Sequence, residues 1–278
     1  MSGARRAAVL GHPISHSLSP VLHRAAYSAL GLDWEYDARD VEAGGLGAFL
    51  EGLDDSWVGL SLTMPLKVEA VDHLDFLEPL AKALGAANTI LLEPRASGGH
   101  RIGANTDVQG IVAALSEAGV ESATSAVILG AGATATAAMA ALATLGCANP
   151  TVAVRERSRA GGLLRAASKL GASPRLVDFS GVLDALATSD VVVSTIPAAA
   201  GEAVARVLAA AEARGALLDA VYDPIETPLL RAWRAAGGIA VDGTRMLLHQ
   251  ASEQVRLFTG SAAPVAAMDR ALMSQLSH

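Results

Sequence analysis

Short apolar, β-branched runs alternate with helical segments along the whole chain. In the first hundred residues the runs at 7–10, 34–38, 57–63 and 89–92 predict strands, and 20–30, 43–52, 66–72 and 78–84 predict helices. Pro20 suits a helix start, because its missing N–H has no partner there anyway. A helix over 107–118 follows, stopped by Gly119. Strands are then predicted at 125–129, 151–154, 175–177, 191–195 and 217–221, each separated by a helical stretch; Gly146 ends the helix over 134–145. The chain closes with helices over 243–258 and from 264. Such alternation reads as an α/β protein with mainly parallel sheets. The expected division is a first domain at 1–106 and a second at 107–242, with the helices of 243–278 packing back on the first and a cleft between the two domains.

Bulk properties narrow the function without naming it. A length of 278 residues suits two domains. With 51% apolar and only 18% charged residues, both halves can bury a core. A net charge of −7 argues against a nucleic-acid partner, which needs a basic face. The one cysteine, Cys147, has no internal disulfide partner and is expected as an inert buried thiol in an Ala-rich helix. That fits a reducing cytoplasm. The apolar run before Gly11 is too short for an export signal, and the longest apolar stretch, 135–154, is broken by Gly146, Asn149 and Pro150, so no membrane partner is expected. The sequence does not fix the oligomeric state; a homodimer is compatible with it.

The segment Val127-Ile128-Leu129-Gly130-Ala131-Gly132-Ala133-Thr134-Ala135 is a strand, a turn and a helix start. It matches the G-x-G-x-x-G/A turn that cradles a dinucleotide pyrophosphate: one glycine for the tight turn, one for close approach of the phosphates, and a small third residue for helix–strand packing. The helix N-terminus then faces the phosphates. The next strand ends in Val154-Arg155-Glu156-Arg157-Ser158-Arg159. Arginines there favour the 2′-phosphate of NADP, whereas an acidic residue favours the ribose of NAD, so Glu156 is the contrary signal. NADP is the expected cofactor.

Polar residues in the first half cluster at turns beside strands, where open α/β sheets place ligands. Gly11–Pro20 holds Ser17 and Ser19 at a helix start, a ready site for a carboxylate, although taken alone Ser19 reads better as an N-cap before Pro20. Thr63-Met64-Pro65-Leu66-Lys67 closes a strand, and Gly85–Thr89 and Gly103–Asp107 are further polar turns. His12, His16 and His23 lie near one another but lack the partners of a metal site, and none is expected.

With these segments in view, the chain resembles the shikimate dehydrogenases over nearly its full length. The carrying segments are Gly11–Pro20, Thr63–Lys67, Asn88-Thr89, Asn105-Thr106-Asp107, the Gly130 turn, Asp219–Pro228 and Met246–Gln250. The resemblance implies a substrate domain, a Rossmann-type NADP domain, and NADPH-dependent reduction of 3-dehydroshikimate to shikimate in aromatic amino acid biosynthesis. It also implies roles. Lys67 and Asp107 are the catalytic pair. Ser17 and Ser19 hold the substrate carboxylate; Thr63, Asn88, Asn105, Tyr222 and Gln250 line the rest of the pocket. Gly130, Ala131, Gly132, Ala133, Thr134, Val154, Arg155, Arg159, Thr195, Ala220, Gly243 and Met246 contact the cofactor. Two departures stand out: Glu156 follows Arg155, and Arg245 occupies a position where a small residue is common, with no reason visible in the sequence. The rivals are a quinate/shikimate dehydrogenase using NAD and, from another class, a non-catalytic ligand or redox sensor, which would have no use for both Lys67 and Asp107.

Overall fold

The computed structural model describes residues 5–94, 96, 98–208 and 212–277. The chain divides into two compact units, Met1–Thr106 with Gln250–His278, and Asp107–His249.

The first unit contains β1 (Arg5–Gly11), α1 (Ser19–Ala29), β2 (Trp34–Asp40), α2 (Leu46–Glu51), β3 (Trp57–Leu62), α3 (Leu66–Glu69), β4 (Phe76–Leu77), α4 (Pro79–Leu84), β5 (Thr89–Leu92) and β6 (Arg101–Ala104). Its sheet runs β2-β1-β3-β5-β6-β4. Every residue of β3 is buried, as befits a central strand covered on both faces. Successive side chains of a strand point to opposite faces, and the two faces build two cores. Ala8, Leu10, Leu60 and Leu62 pack with Leu46, Leu50 and Leu66 on one side. Ala7, Val9 and Val58 pack with Tyr27, Tyr36 and Phe258 on the other.

The second unit begins with α5 (Asp107–Glu117) and continues through β7 (Ala126–Leu129), α6 (Ala133–Thr144), β8 (Thr151–Ala153), α7 (Gly161–Leu170), β9 (Arg175–Val177), α8 (Leu183–Thr188), β10 (Val191–Ser194), α9 (Ala198–Leu208), β11 (Ala216–Asp219), α10 (Pro228–Ala235) and β12 (Ile239–Val241). Its strands are all parallel in the order β12-β11-β10-β7-β8-β9. That is the doubly wound arrangement, with strand order reversing beside β7. The core is aliphatic, built on Val127, Leu129, Val192 and Leu217 around the fully buried Trp233. The chain then runs through α11 (Gly243–Thr259), whose later residues belong to the first unit, and ends in α12 (Val265–Leu276), which packs on α1.

Several local expectations need correction. The first sheet is mainly parallel, as expected, with the refinement that β5 runs antiparallel to both β3 and β6. Strands β4, β6 and β12 were not predicted; they have two, four and three residues, too few to show a period. The helix expected over 66–72 is a four-residue α3 followed by a 3-10 turn. Ser19 is not an N-cap: it is the first residue of α1, Leu18 precedes it without a side-chain cap, and the Ser19 N–H donates instead to Ser17 Oγ at 3.4 Å. Cys147 is buried as expected but lies beyond the end of α6, where Gly146 has turned the chain at φ +106°. Burial pushes its thiol pKa up, consistent with an unreactive group. Among the described residues no helix is long and apolar enough to cross a membrane.

Candidate active site

In the first unit the candidate residues lie at the ends of adjacent strands. Ser17 and Ser19 follow β1; Thr63 and Lys67 follow β3; Asn88 precedes β5; Asn105 and Thr106 follow β6. Backbone hydrogen bonds draw these turns together. Thr63 N–H donates to the Leu10 carbonyl at 2.9 Å, and His12 N–H to the Met64 carbonyl at 3.0 Å. The Lys67 carbonyl accepts from Ala87 N–H at 2.8 Å, so the start of α3, which bears the lysine, is tied to the residue before Asn88. Asn105 Nδ2 donates to the Ala86 carbonyl at 3.0 Å. The serine turn is held separately by Asp40, whose carboxylate accepts from His12 Nδ1 at 2.7 Å and Ile14 N–H at 3.3 Å. That hydrogen bond raises the pKa of His12 and lowers that of Asp40.

Behind these turns is a buried polar network. Asn88, 1% exposed, accepts through Oδ1 from Thr106 N–H and Thr89 Oγ1, both at 2.8 Å. Its Nδ2 donates to Thr106 Oγ1 at 2.9 Å and Gln250 Oε1 at 3.3 Å. Gln254, one turn along α11 from Gln250, joins this group to Ser61 on β3 and Tyr36 on β2. Buried polar groups must be paired, and this set is paired among its own side chains and with the Thr106 N–H and the Asn88 carbonyl. Sequence reading missed Tyr36, Ser61 and Gln254. The available signals were a serine inside the apolar run of β3 and a glutamine four residues after Gln250 on the same helical face.

In the second unit the Gly130 turn follows β7, with Thr195 after β10, Arg155 after β8 and Ala220 after β11. Gly130 has φ +109°, and an added Cβ would lie 2.5 Å from Thr195 Oγ1; the protein itself requires glycine there. Gly132 differs. Its φ is −81°, and an added Cβ would meet nothing within 4 Å. The fold gives no reason for glycine at 132, whereas a phosphate approaching the uncapped start of α6 does. Val154 is buried; Arg155, Glu156 and Arg159 are exposed at the end of β8. Gly243 packs closely on the next turn, since a Cβ there would lie 2.6 Å from the Ala220 carbonyl and 2.7 Å from that of Val221. Met246 is buried and Tyr222 half-buried. These residues fit a bound NADP.

Two further features belong to this unit. Asp219 is buried, and burial raises its pKa; it accepts from Thr227 Oγ1 at 2.7 Å, closing the loop that bears Ala220 and Tyr222. Arg245 acquires an explanation. Its guanidinium donates twice to Glu117, Nε to Oε2 at 2.8 Å and a terminal nitrogen to Oε1 at 2.6 Å. His249 Nε2 lies 3.2 Å from the same carboxylate. The pair clips α11 to α5, and chiefly Arg245 keeps the Glu117 pKa low. Asp107 is buried as the first residue of α5, ten residues before this clip and directly after Thr106. Among the described residues no three His, Cys, Asp or Glu are grouped as metal ligands.

Comparison with known proteins identifies the family. Residues 9–90 match the family pattern for the shikimate dehydrogenase substrate binding domain. Residues 113–214 match that for shikimate/quinate 5-dehydrogenase, and 243–273 that for the shikimate 5'-dehydrogenase C-terminal domain. The shikimate dehydrogenase (NADP(+)) of Moorella thermoacetica is 38% identical over 273 residues, covering 95% of this chain and 91% of its own. This chain belongs to the shikimate dehydrogenase family. Among solved members of similar fold, the shikimate dehydrogenase of Mycobacterium tuberculosis is 42% identical with a TM-score of 0.87, covering 97% of this chain and 99% of its own. A quinate dehydrogenase from Corynebacterium glutamicum, solved in complex with NAD, is 32% identical with a TM-score of 0.84, covering 98% and 99%.

Proposed function

We propose that this chain catalyses the reversible, NADP-dependent interconversion of shikimate and 3-dehydroshikimate. The observation that carries the reading is the gathering of the Ser17/Ser19 turn, Thr63, Lys67, Asn88, Asn105 and Gln250 at one end of the first unit's sheet. Together they offer hydroxyl, ammonium and amide groups suited to a small polyhydroxylated carboxylate.

Ser17 and Ser19 hold the carboxylate, and Thr63, Asn88, Asn105, Tyr222 and Gln250 the ring hydroxyls. Lys67 is the proton carrier. As the ketone is reduced, negative charge develops on its oxygen; the Lys67 ammonium stabilises that charge and donates a proton. In the other direction neutral Lys67 takes the hydroxyl proton. Asp107 is the acidic member of the proposed catalytic pair. Proton transfer of this kind contributes on the order of 10²–10⁴-fold.

NADPH supplies the hydride when bound. Gly130, Ala131, Gly132, Ala133 and Thr134 would hold its pyrophosphate, and Val154, Arg155 and Arg159 its adenosine end. Thr195, Ala220, Gly243 and Met246 would hold the nicotinamide end. A second reading, quinate oxidation with NAD, is favoured by the exposed Glu156 beside Arg155. Initial rates with shikimate and quinate, each with NADP+ and NAD+, separate the two. Shikimate with NADP+ should be fastest; quinate with NAD+ fastest would overturn the reading. A cytoplasmic location is proposed on the single buried cysteine, and a homodimer is the assembly to test by sedimentation.

A further inference from the structure

Backbone groups decide the sense of three amide side chains in the first unit. The Thr106 N–H can only donate, so the atom it meets at 2.8 Å is the oxygen of Asn88. The Asn88 NH2 therefore faces Thr106 Oγ1 and Gln250. A donor on Asn88 requires an acceptor on Gln250, so Gln250 turns its Oε1 toward Asn88, where Oε1 also accepts from Thr106 Oγ1 at 3.4 Å. Its NH2 is thereby turned the other way.

The Asn88 carbonyl fixes the other end. It can only accept, and it takes Leu62 N–H at 2.7 Å and Gln254 Nε2 at 3.1 Å. Gln254 Nε2 also donates to Thr89 Oγ1 at 3.0 Å, and the Thr89 hydroxyl in turn donates to Asn88 Oδ1. Gln254 Oε1 must then face Ser61, which donates at 2.7 Å and accepts from the Tyr36 hydroxyl at 2.6 Å. Donors and acceptors run in one direction from Tyr36 to Gln250. Every member is buried, Tyr36 at 0% and Gln254 at 1% exposure. A network so desolvated strongly penalises any flipped member.

We propose that Gln254 is a positioning residue for the substrate site. It holds the Asn88 segment so that Gln250 presents its amide NH2, not its oxygen, to the substrate. Gln250 then selects a substrate oxygen acting as a hydrogen-bond acceptor. Gln254 itself does not touch substrate. The proposal rests on the functional reading above, which wild-type turnover of shikimate with NADP+ decides by itself; without that turnover both fall.

The test is steady-state kinetics of Gln254→Leu, alone and with Gln250→Ala, beside the thermal midpoint of each protein. Gln254→Leu should raise the shikimate KM about tenfold, the order of one lost oriented hydrogen bond. The KM for NADP+ should stay within about twofold. In the Gln250→Ala background the same change should add less than about twofold, because the group being oriented is already gone. Should Gln254→Leu fail to fold, Ser61→Ala removes the hydroxyl that donates to Gln254 and accepts from Tyr36, and should raise the shikimate KM in the same direction by a few-fold. An unchanged shikimate KM with only a lower melting temperature overturns the proposal. So does an equal KM rise in both backgrounds.

Discussion

His23 gives the stability of this protein a specific acid sensitivity. It is fully buried on α1, with Nδ1 3.0 Å from the Ser19 carbonyl, so Nδ1 carries the proton of a neutral ring. One ring face stacks on Tyr36 at 3.9 Å, and Tyr27 and Phe258 stand at 6.1 Å. Burial among these uncharged rings lowers its pKa from 6.5 to about 4, against the smaller opposing pull of the Ser19 carbonyl. The unfolded chain therefore takes up a proton that the folded protein refuses. This contribution is fully present above pH 6.5 and is lost as pH falls toward the folded value. Integrating between pH 7.5 and 5.5 gives a loss of about 1.3 kcal/mol. His23→Phe keeps an aromatic ring against Tyr36 and cannot titrate. Urea unfolding of both proteins at both pH values isolates the effect, because every other group titrates in each. Wild type should lose about 1.3 kcal/mol more than the variant. Equal losses, or a greater loss in the variant, would refute the reasoning.

Further expectations concern the second unit. Gly130→Ala forces an unfavourable φ and drives Thr195 off its 2.9 Å bond to the Leu129 carbonyl, so unfolding free energy should fall by about 2–4 kcal/mol in a urea titration. Gly132→Ala should leave stability within about 0.5 kcal/mol yet raise the KM for NADP+, since its Cβ meets only the space assigned to phosphate. Arg245→Ala should cost about 1 kcal/mol in the same titration; the pair is bidentate, but Glu117 is 43% exposed and solvent screens it. Arg155→Ala should raise the NADP+ KM about 10–100-fold with little change for NAD+, as read from initial rates with each cofactor.

The strand–helix alternation was legible because parallel strands buried on both faces leave continuous apolar runs, as in Val127–Leu129 and Val191–Val193. Strand β6, Arg-Ile-Gly-Ala, leaves no such run, and the reversed direction of β5 depends on pairings that no local pattern encodes. Candidates such as Ser17, Lys67 and Asn88 were picked out through the family resemblance, and the fold places them at neighbouring strand ends. Their supports were not: Tyr36, Ser61 and Gln254 come from three distant segments, and only the folded chain shows that their polar atoms meet. Arg245 was opaque for the same reason, its partner Glu117 lying 128 residues away.

The most direct test of the proposed chemistry is the rate of NADPH formation from shikimate by wild type beside Lys67→Ala. Wild type should turn over with NADP+, and the variant should lose on the order of 10²-fold or more in kcat while the shikimate KM changes by no more than a few-fold. A wild-type protein inactive on shikimate, or a Lys67→Ala protein with near-normal kcat, would contradict the account.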